Sequence, residues 1–142
     1  MAEADKEHQL QAMAAELEQG KARLDAIGKQ ARLAESSILE IQATQTALDS
    51  IATTSEGTEI LIPLGGDSYV KVNLADNKNV LVGIGSRFSM EKPIKDAKET
   101  ISQRKDELEK SFKTLQEAYA DLSGQLMELN AHVERFLSEV RK

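Results

Sequence analysis

The residues able to do chemistry are few in this sequence. There is no cysteine, so no disulfide and no thiolate metal site can form. The two histidines, His8 and His132, stand alone near opposite ends of the chain with no identified carboxylate partner, which makes a poor metal centre. The glycine pairs Gly65-Gly66 and Gly83/Gly85 lack both the G-x-x-x-x-G-K-[ST] and the G-x-G-x-x-G pattern of phosphate-cradling loops, and hairpin turns account for them. No nucleophile, base and orienting group occur together. The residues therefore predict no enzyme, no cofactor and no metal. The chemistry left to such a chain is apolar association.

Composition agrees. Of 142 residues, 40% are hydrophobic and 30% charged, with three Phe, two Tyr and no Trp. Large aromatics normally fill a compact core, so their scarcity beside so much Ala, Leu, Glu, Lys and Gln predicts long helices. The formal net charge is −6, and residues 1–52 hold most of the excess with nine acids against five bases. An acidic chain without a basic stripe repels phosphates, so nucleic acid is not an expected partner. No apolar run approaches the roughly 18–20 residues of a membrane span. The start, Met-Ala-Glu-Ala-Asp-Lys-Glu-His, is acidic and polar, unlike a signal peptide. These features predict a cytoplasmic protein with no membrane partner.

Residues 5–53 contain no proline and carry two apolar columns at heptad spacing. One reads Leu10, Leu17, Leu24, Ala31, Ile38, Gln45, and the other Met13, Gly20, Ile27, Ala34, Ile41, Leu48. Six heptads in register predict a coiled-coil helix of ~45 residues, roughly 65–70 Å long. Gly20 and Gly28 each cost about 1 kcal/mol relative to Ala and predict local loosening or a flex point. A second helix is expected over 93–142, with Pro93 in its first turn. Its main column is Ile94, Ile101, Leu108, Leu115, Leu122, Leu129, Phe136. A companion column of Phe112, Tyr119, Leu126, Val133 and Val140 replaces the weaker Ala97, Arg104 and Ser111, so helix packing should change near Leu108 to Phe112.

Between the helices, residues 57–92 change period. Segments 58–64, 68–74, 79–84 and 87–92 read as four strands separated by Gly65-Gly66-Asp67, 75–78 and Gly85-Ser86. Pro63 has no backbone donor and belongs at an edge or bulge. The fold class is thus mainly α: a long antiparallel two-helix coiled coil joined by two β-hairpins, read as a single domain over 1–142. Four short strands expose edges and an apolar face, which predicts an oligomer whose interface is the β region. Ile60, Ile62, Val70, Val72, Val80, Val82, Ile84 and Phe88 are the expected assembly interface, and the core of the oligomeric β-barrel platform that the resemblance given next implies.

The stretch Thr58-Glu-Ile-Leu-Ile-Pro-Leu-Gly-Gly-Asp-Ser-Tyr-Val-Lys-Val72, followed by Asn79-Val-Leu-Val-Gly-Ile-Gly85, resembles the alpha-class subunit of archaeal-type prefoldin. The likeness in sequence covers about 58–92, with two hairpins rather than one, and the architecture extends it over nearly the whole chain. The family's turn is commonly Gly-Ala-Gly, where this chain has Gly65-Gly66-Asp67. The resemblance implies a hexamer of two alpha and four beta-class subunits with a double β-barrel base. It further implies an ATP-independent holdase whose coiled-coil tips bind unfolded proteins and pass them to a group II chaperonin. The tip residues that fit this role are Leu10, Met13, Phe136, Leu137 and Val140, at the start of one helix and the end of the other. Met13 and Met127 add flexible, polarizable side chains. Two other readings stay open: a structural or tethering coiled coil with one specific partner, and a prefoldin-like subunit that builds filaments.

Overall fold

The computed structural model describes residues 2–141. In chain order they form α1 (Ala2–Ala52), β1 (Glu59–Gly65), β2 (Ser68–Asn73), β3 (Asn79–Gly85), β4 (Phe88–Pro93) and α2 (Ile94–Arg141). The chain divides into two compact units. One holds the described residues up to Ser36 together with those from Glu109 on; the other spans Ser37–Leu108.

In the Ser37–Leu108 unit the strands form two separate two-stranded antiparallel sheets, β1 with β2 and β3 with β4. The two hairpins share one register at an offset of 20 residues: Ile60↔Val72 and Ile62↔Val70 correspond to Val80↔Lys92 and Val82↔Met90. Each has a bulge just before its turn, between Pro63 and Gly65 or between Gly83 and Gly85. Each turn then runs through three consecutive left-handed residues, Gly65, Gly66 and Asp67 in one and Gly85, Ser86 and Arg87 in the other. Arg87, expected to open a strand, is therefore a turn residue with φ 67°. A side chain held in that region costs about 1–2 kcal/mol, so the second turn is the more strained.

The core of this unit is small. Leu48 of α1, Val82 of β3 and Ile94, Ala97 and Ile101 of α2 are buried together, with Ile41, Ile51 and Val80 packed against them. Ala97 is 0% exposed, and its single methyl group lets its neighbours close over the helix. Pro93 ends β4 opposite Asn79 instead of opening the helix. The reason lies in the next residue. The Ile94 N–H donates to the Lys78 carbonyl at 2.9 Å, so the ladder reaches one residue into the helix and satisfies a first-turn donor. The Arg104 guanidinium donates to the Gly83 carbonyl and ties α2 to β3. An ion pair of 2.7 Å joins Lys98 of α2 to Asp49 of α1. The linker between hairpins is shaped by Asp76, whose carboxylate accepts from the backbone N–H groups of Lys78 (2.7 Å) and Asn79 (3.2 Å). Those hydrogen bonds hold its carboxyl below the ordinary value of 3.8.

In the other unit α1 and α2 run antiparallel with the heptad columns between them. Leu10, Leu17, Leu24 and Ala31 are half-buried, as are Met13, Gly20, Ile27 and Ala34. Facing them, Leu115, Leu122, Leu129 and Phe136 are half-buried with Phe112, Leu126 and Val133. Gly20 has a packing role. A Cβ placed there would lie 2.3 Å from Leu126 Cδ2, so the glycine is the hole that Leu126 fills. Tyr119 lies over Gly28 less tightly, with Cε2 3.4 Å from a Cβ there, an ordinary contact, and is itself left more exposed than its column predicts. Gly124 meets nothing within 4 Å. Gly124→Ala should therefore raise stability by about 0.5–1 kcal/mol in urea unfolding, the helix-propensity gain alone. Gly20→Ala should forfeit that gain by displacing Leu126, and equal gains from both would refute this packing.

Candidate functional site

The start of α1 and the end of α2 meet in an open hollow of about 220 Å³. Leu10, Phe136 and Val140 line it together with Glu3, Lys6 and Glu7. Helical spacing explains the grouping: Phe136 and Val140 are four apart on one face, and Leu10 is the first seam residue of the facing helix. Leu10 and Phe136 are half-buried, whereas Val140 is 48% exposed. The structure thus brings together three of the five residues expected at this end. Met13 is half-buried and does not line the hollow. Leu137 lies on another face of α2, beside Glu134, Ser138 and Arg141. Met127 stands among the more exposed apolar side chains.

The second surface is on the hairpins. Because strand neighbours alternate, Ile60, Ile62, Val70 and Val72 share one face of the first hairpin, while Leu61, Pro63, Tyr69 and Lys71 share the other. Ile60 and Val72 are half-buried; Ile62 and Val70 are exposed. On the second hairpin Val80, Val82 and Met90 share a face, and Leu81, Gly83, Ser89 and Glu91 the opposite one. Val82, expected in the barrel core and assembly interface, is 6% exposed and belongs to the chain's own core. Val80 packs against that core too. These two valines seat the hairpin on the helices and leave little surface for a partner. Ile84 and Phe88 remain exposed.

Sequence reasoning missed the opposite faces. Leu61, Tyr69 and Leu81 are 59%, 58% and 75% exposed, and Leu64 and Met90 are exposed as well. A signal was present: the run from Ile60 to Leu64 is apolar without alternation, which is the pattern of a strand covered on both sides.

His8 and His132 are both exposed. Among the described residues no group of three or more His, Asp or Glu side chains is arranged to hold a metal ion. Gly65, Gly66 and Gly85 serve positive-φ turns. No helix among the described residues is long and apolar enough to cross a membrane.

The family model described as Prefoldin subunit matches residues 21–138. The chain is similar to Prefoldin subunit alpha of Methanobrevibacter smithii, at 31% identity over 111 residues, covering 78% of this chain and 75% of that one. Against Prefoldin subunit alpha of Methanocorpusculum labreanum the identity is 29% over 132 residues, covering 93% and 88%. The match to the Methanopyrus kandleri alpha subunit is 35% over 79 residues and spans only half (50%) of that protein. Among solved structures, a chain of the filamentous PFD from Methanocaldococcus jannaschii superposes with a TM-score of 0.70, covering 81% of this chain and 95% of that one at 22% identity. At that identity the likeness speaks to the fold alone.

Proposed function

The chain belongs to the prefoldin family as an alpha-class subunit of the archaeal type, and from that premise we propose that it serves in an ATP-independent holdase chaperone. Its hairpins close with those of beta-class subunits, two alpha with four beta, into a barrel platform. Non-native chains are held by Leu10, Met13, Phe136, Leu137 and Val140 and passed to a group II chaperonin in the cytoplasm. The observation that carries this reading is the open hollow lined by Leu10, Phe136 and Val140. It is open, combines apolar with charged side chains and is built on helix termini, where fraying is easiest. Such a surface meets many sequences weakly, and several copies in one assembly turn weak contacts into useful avidity. It has no fixed polar array of the kind that selects one small molecule.

A second reading, a filament of this chain, is favoured by the fold shared with a filamentous PFD and by the many apolar side chains exposed on the hairpins. One experiment tests the first reading and scores the second. The chain is co-purified with its beta-class partner and mixed with several unrelated aggregating proteins, with ATP, without it, and with chelator. Equal suppression of light scattering in all three conditions is expected. A strict ATP requirement, or protection of one client only, would reject the holdase. Electron microscopy of the same sample distinguishes discrete particles from filaments.

A further inference from the structure

A second open groove, of about 390 Å³, runs along the helix pair in the same unit as the terminal hollow. Gly28, Ala31, Phe112 and Tyr119 line it, together with Arg32, Glu35 and Gln116. In a chain poor in aromatic residues it gathers two rings, and Tyr119 is 42% exposed.

The heptad explains where this groove lies. Glu7 and Gly28, Leu10 and Ala31, and Val140 and Tyr119 are each 21 residues, or three heptads, apart. The first of each pair lines the terminal hollow and the second lines the groove. Positions seven apart recur on one side of a coiled-coil seam, so the groove is the hollow repeated farther along the same side. The two intervening repeats carry Ala14, Leu17 and Val133, then Lys21, Leu24 and Leu126. There Leu17 and Leu24 are half-buried and fill the seam. At the third repeat Gly28 and Ala31 stand in the same columns, and too little side chain is left to fill it. At ~1.5 Å of rise per residue the two recesses are ~31 Å apart. An extended chain covers that distance in about nine residues at ~3.4 Å each.

We propose that this groove is a second client subsite. It takes an aromatic side chain of an extended non-native segment whose other apolar anchor, about nine residues away, occupies the terminal hollow. The inference rests on the reading of the terminal hollow as a client site. A client ring packs offset or edge-on against Phe112 and Tyr119. Glu35 and Gln116 accept, and Arg32 and Gln116 donate, hydrogen bonds to the client's unpaired backbone groups. The second anchor is captured from a chain already held at the first, so affinity rises through effective concentration. The spacing also selects the client. Native strands run about five to six residues, so a segment extended over about nine, with an accessible apolar anchor at each end, marks a chain that is not folded.

The test is fluorescence anisotropy of labelled, unstructured Gly/Ser peptides with the full-length purified chain. The peptides carry one Phe, two Phe about four residues apart, or two Phe about nine residues apart. The nine-residue spacing should bind about tenfold tighter than the single Phe, and the four-residue spacing within about threefold of it. Ala31→Leu puts a leucine where the two preceding repeats have one, and should fill the groove with thermal stability equal or higher. Ala31→Leu and Tyr119→Ala should each erase the advantage of the nine-residue spacing, while single-Phe binding falls no more than about twofold, the loss of one of two sites. A nine-residue spacing with no advantage, or an advantage that survives both variants, overturns the subsite. Leu10→Ser with Val140→Ser separates this failure from a broader one. If the groove variants are silent while this pair weakens every peptide, the subsite fails and the terminal hollow stands. If both sets are silent, or no peptide binds, the reading of the terminal hollow falls too.

Discussion

Replacing Ile62 and Val70 together with lysine is expected to reduce the assembled complex to single chains and small fragments, with helical circular dichroism unchanged. The two residues are directly opposed in the β1–β2 ladder and share a face. Both are exposed in the chain alone. A two-stranded sheet is at best marginal in water, so a partner must cover that face for it to persist. An unpaired ammonium group in such a contact costs several kcal/mol, and two of them exceed the ~1.5–3 kcal/mol gained per aliphatic side chain buried. The helices do not depend on either residue, since neither belongs to the core around Leu48, Ile94 and Ile101. Val82 would be a misleading site for the same change. A lysine there enters that core and loosens the helix junction, so lost assembly would report unfolding. Size-exclusion chromatography with light scattering reads the result, and an unchanged mass for the double variant would sink the claim.

The second large effect concerns clients. Deleting residues 1–13 together with 134–142 should leave the hairpin-mediated complex at its full number of chains and weaken client capture about tenfold or more, some 1.4 kcal/mol or greater per site. The deletion removes Leu10, Phe136 and Val140, which line the terminal hollow, and also Met13 and Leu137. It spares every hairpin residue and the core of the Ser37–Leu108 unit. Ala34→Ser is the control: a half-buried seam residue whose change leaves the terminal surface intact. Capture is measured as the complex concentration that halves client aggregation. A truncated complex that protects clients as well as the full-length one would place binding elsewhere.

How much was legible in the sequence depends on where the covering atoms lie. The heptad columns from Leu10 to Leu48 all came out half-buried or buried, because a seam between two segments of one chain writes its period into both. Strand ends were legible to within a residue, since the turns use Gly65, Gly66 and Gly85 in conformations that glycine accepts most readily. Arg87 escaped because nothing in its type announces a positive φ. The packing role of Gly20 escaped because the residue facing it, Leu126, is set by the antiparallel register, which depends on the lengths of everything between them. Val82 and Leu81 are adjacent, equally apolar and opposite in fate. Alternation says that they point apart, but not which side meets the helices. The faces bearing Leu61, Tyr69 and Leu81 were harder still, because the described residues leave them largely uncovered.

The long antiparallel pairing also dictates an order in time. Touching residues are 46 positions apart at Leu48 and Ile94, 106 at Gly20 and Leu126, and 126 at Leu10 and Phe136. The entropy of closing a loop grows with its length, so the innermost pair is the cheapest to bring together, and each contact made shortens the next closure. Contacts near the hairpins are therefore favoured to form first, with closure advancing along the helices until the termini meet last. Opening is expected to retrace the path, with Leu10 and Phe136 separating early because helix ends fray most readily. If clients bind there as proposed, they would meet a population of partly opened states rather than one fixed shape.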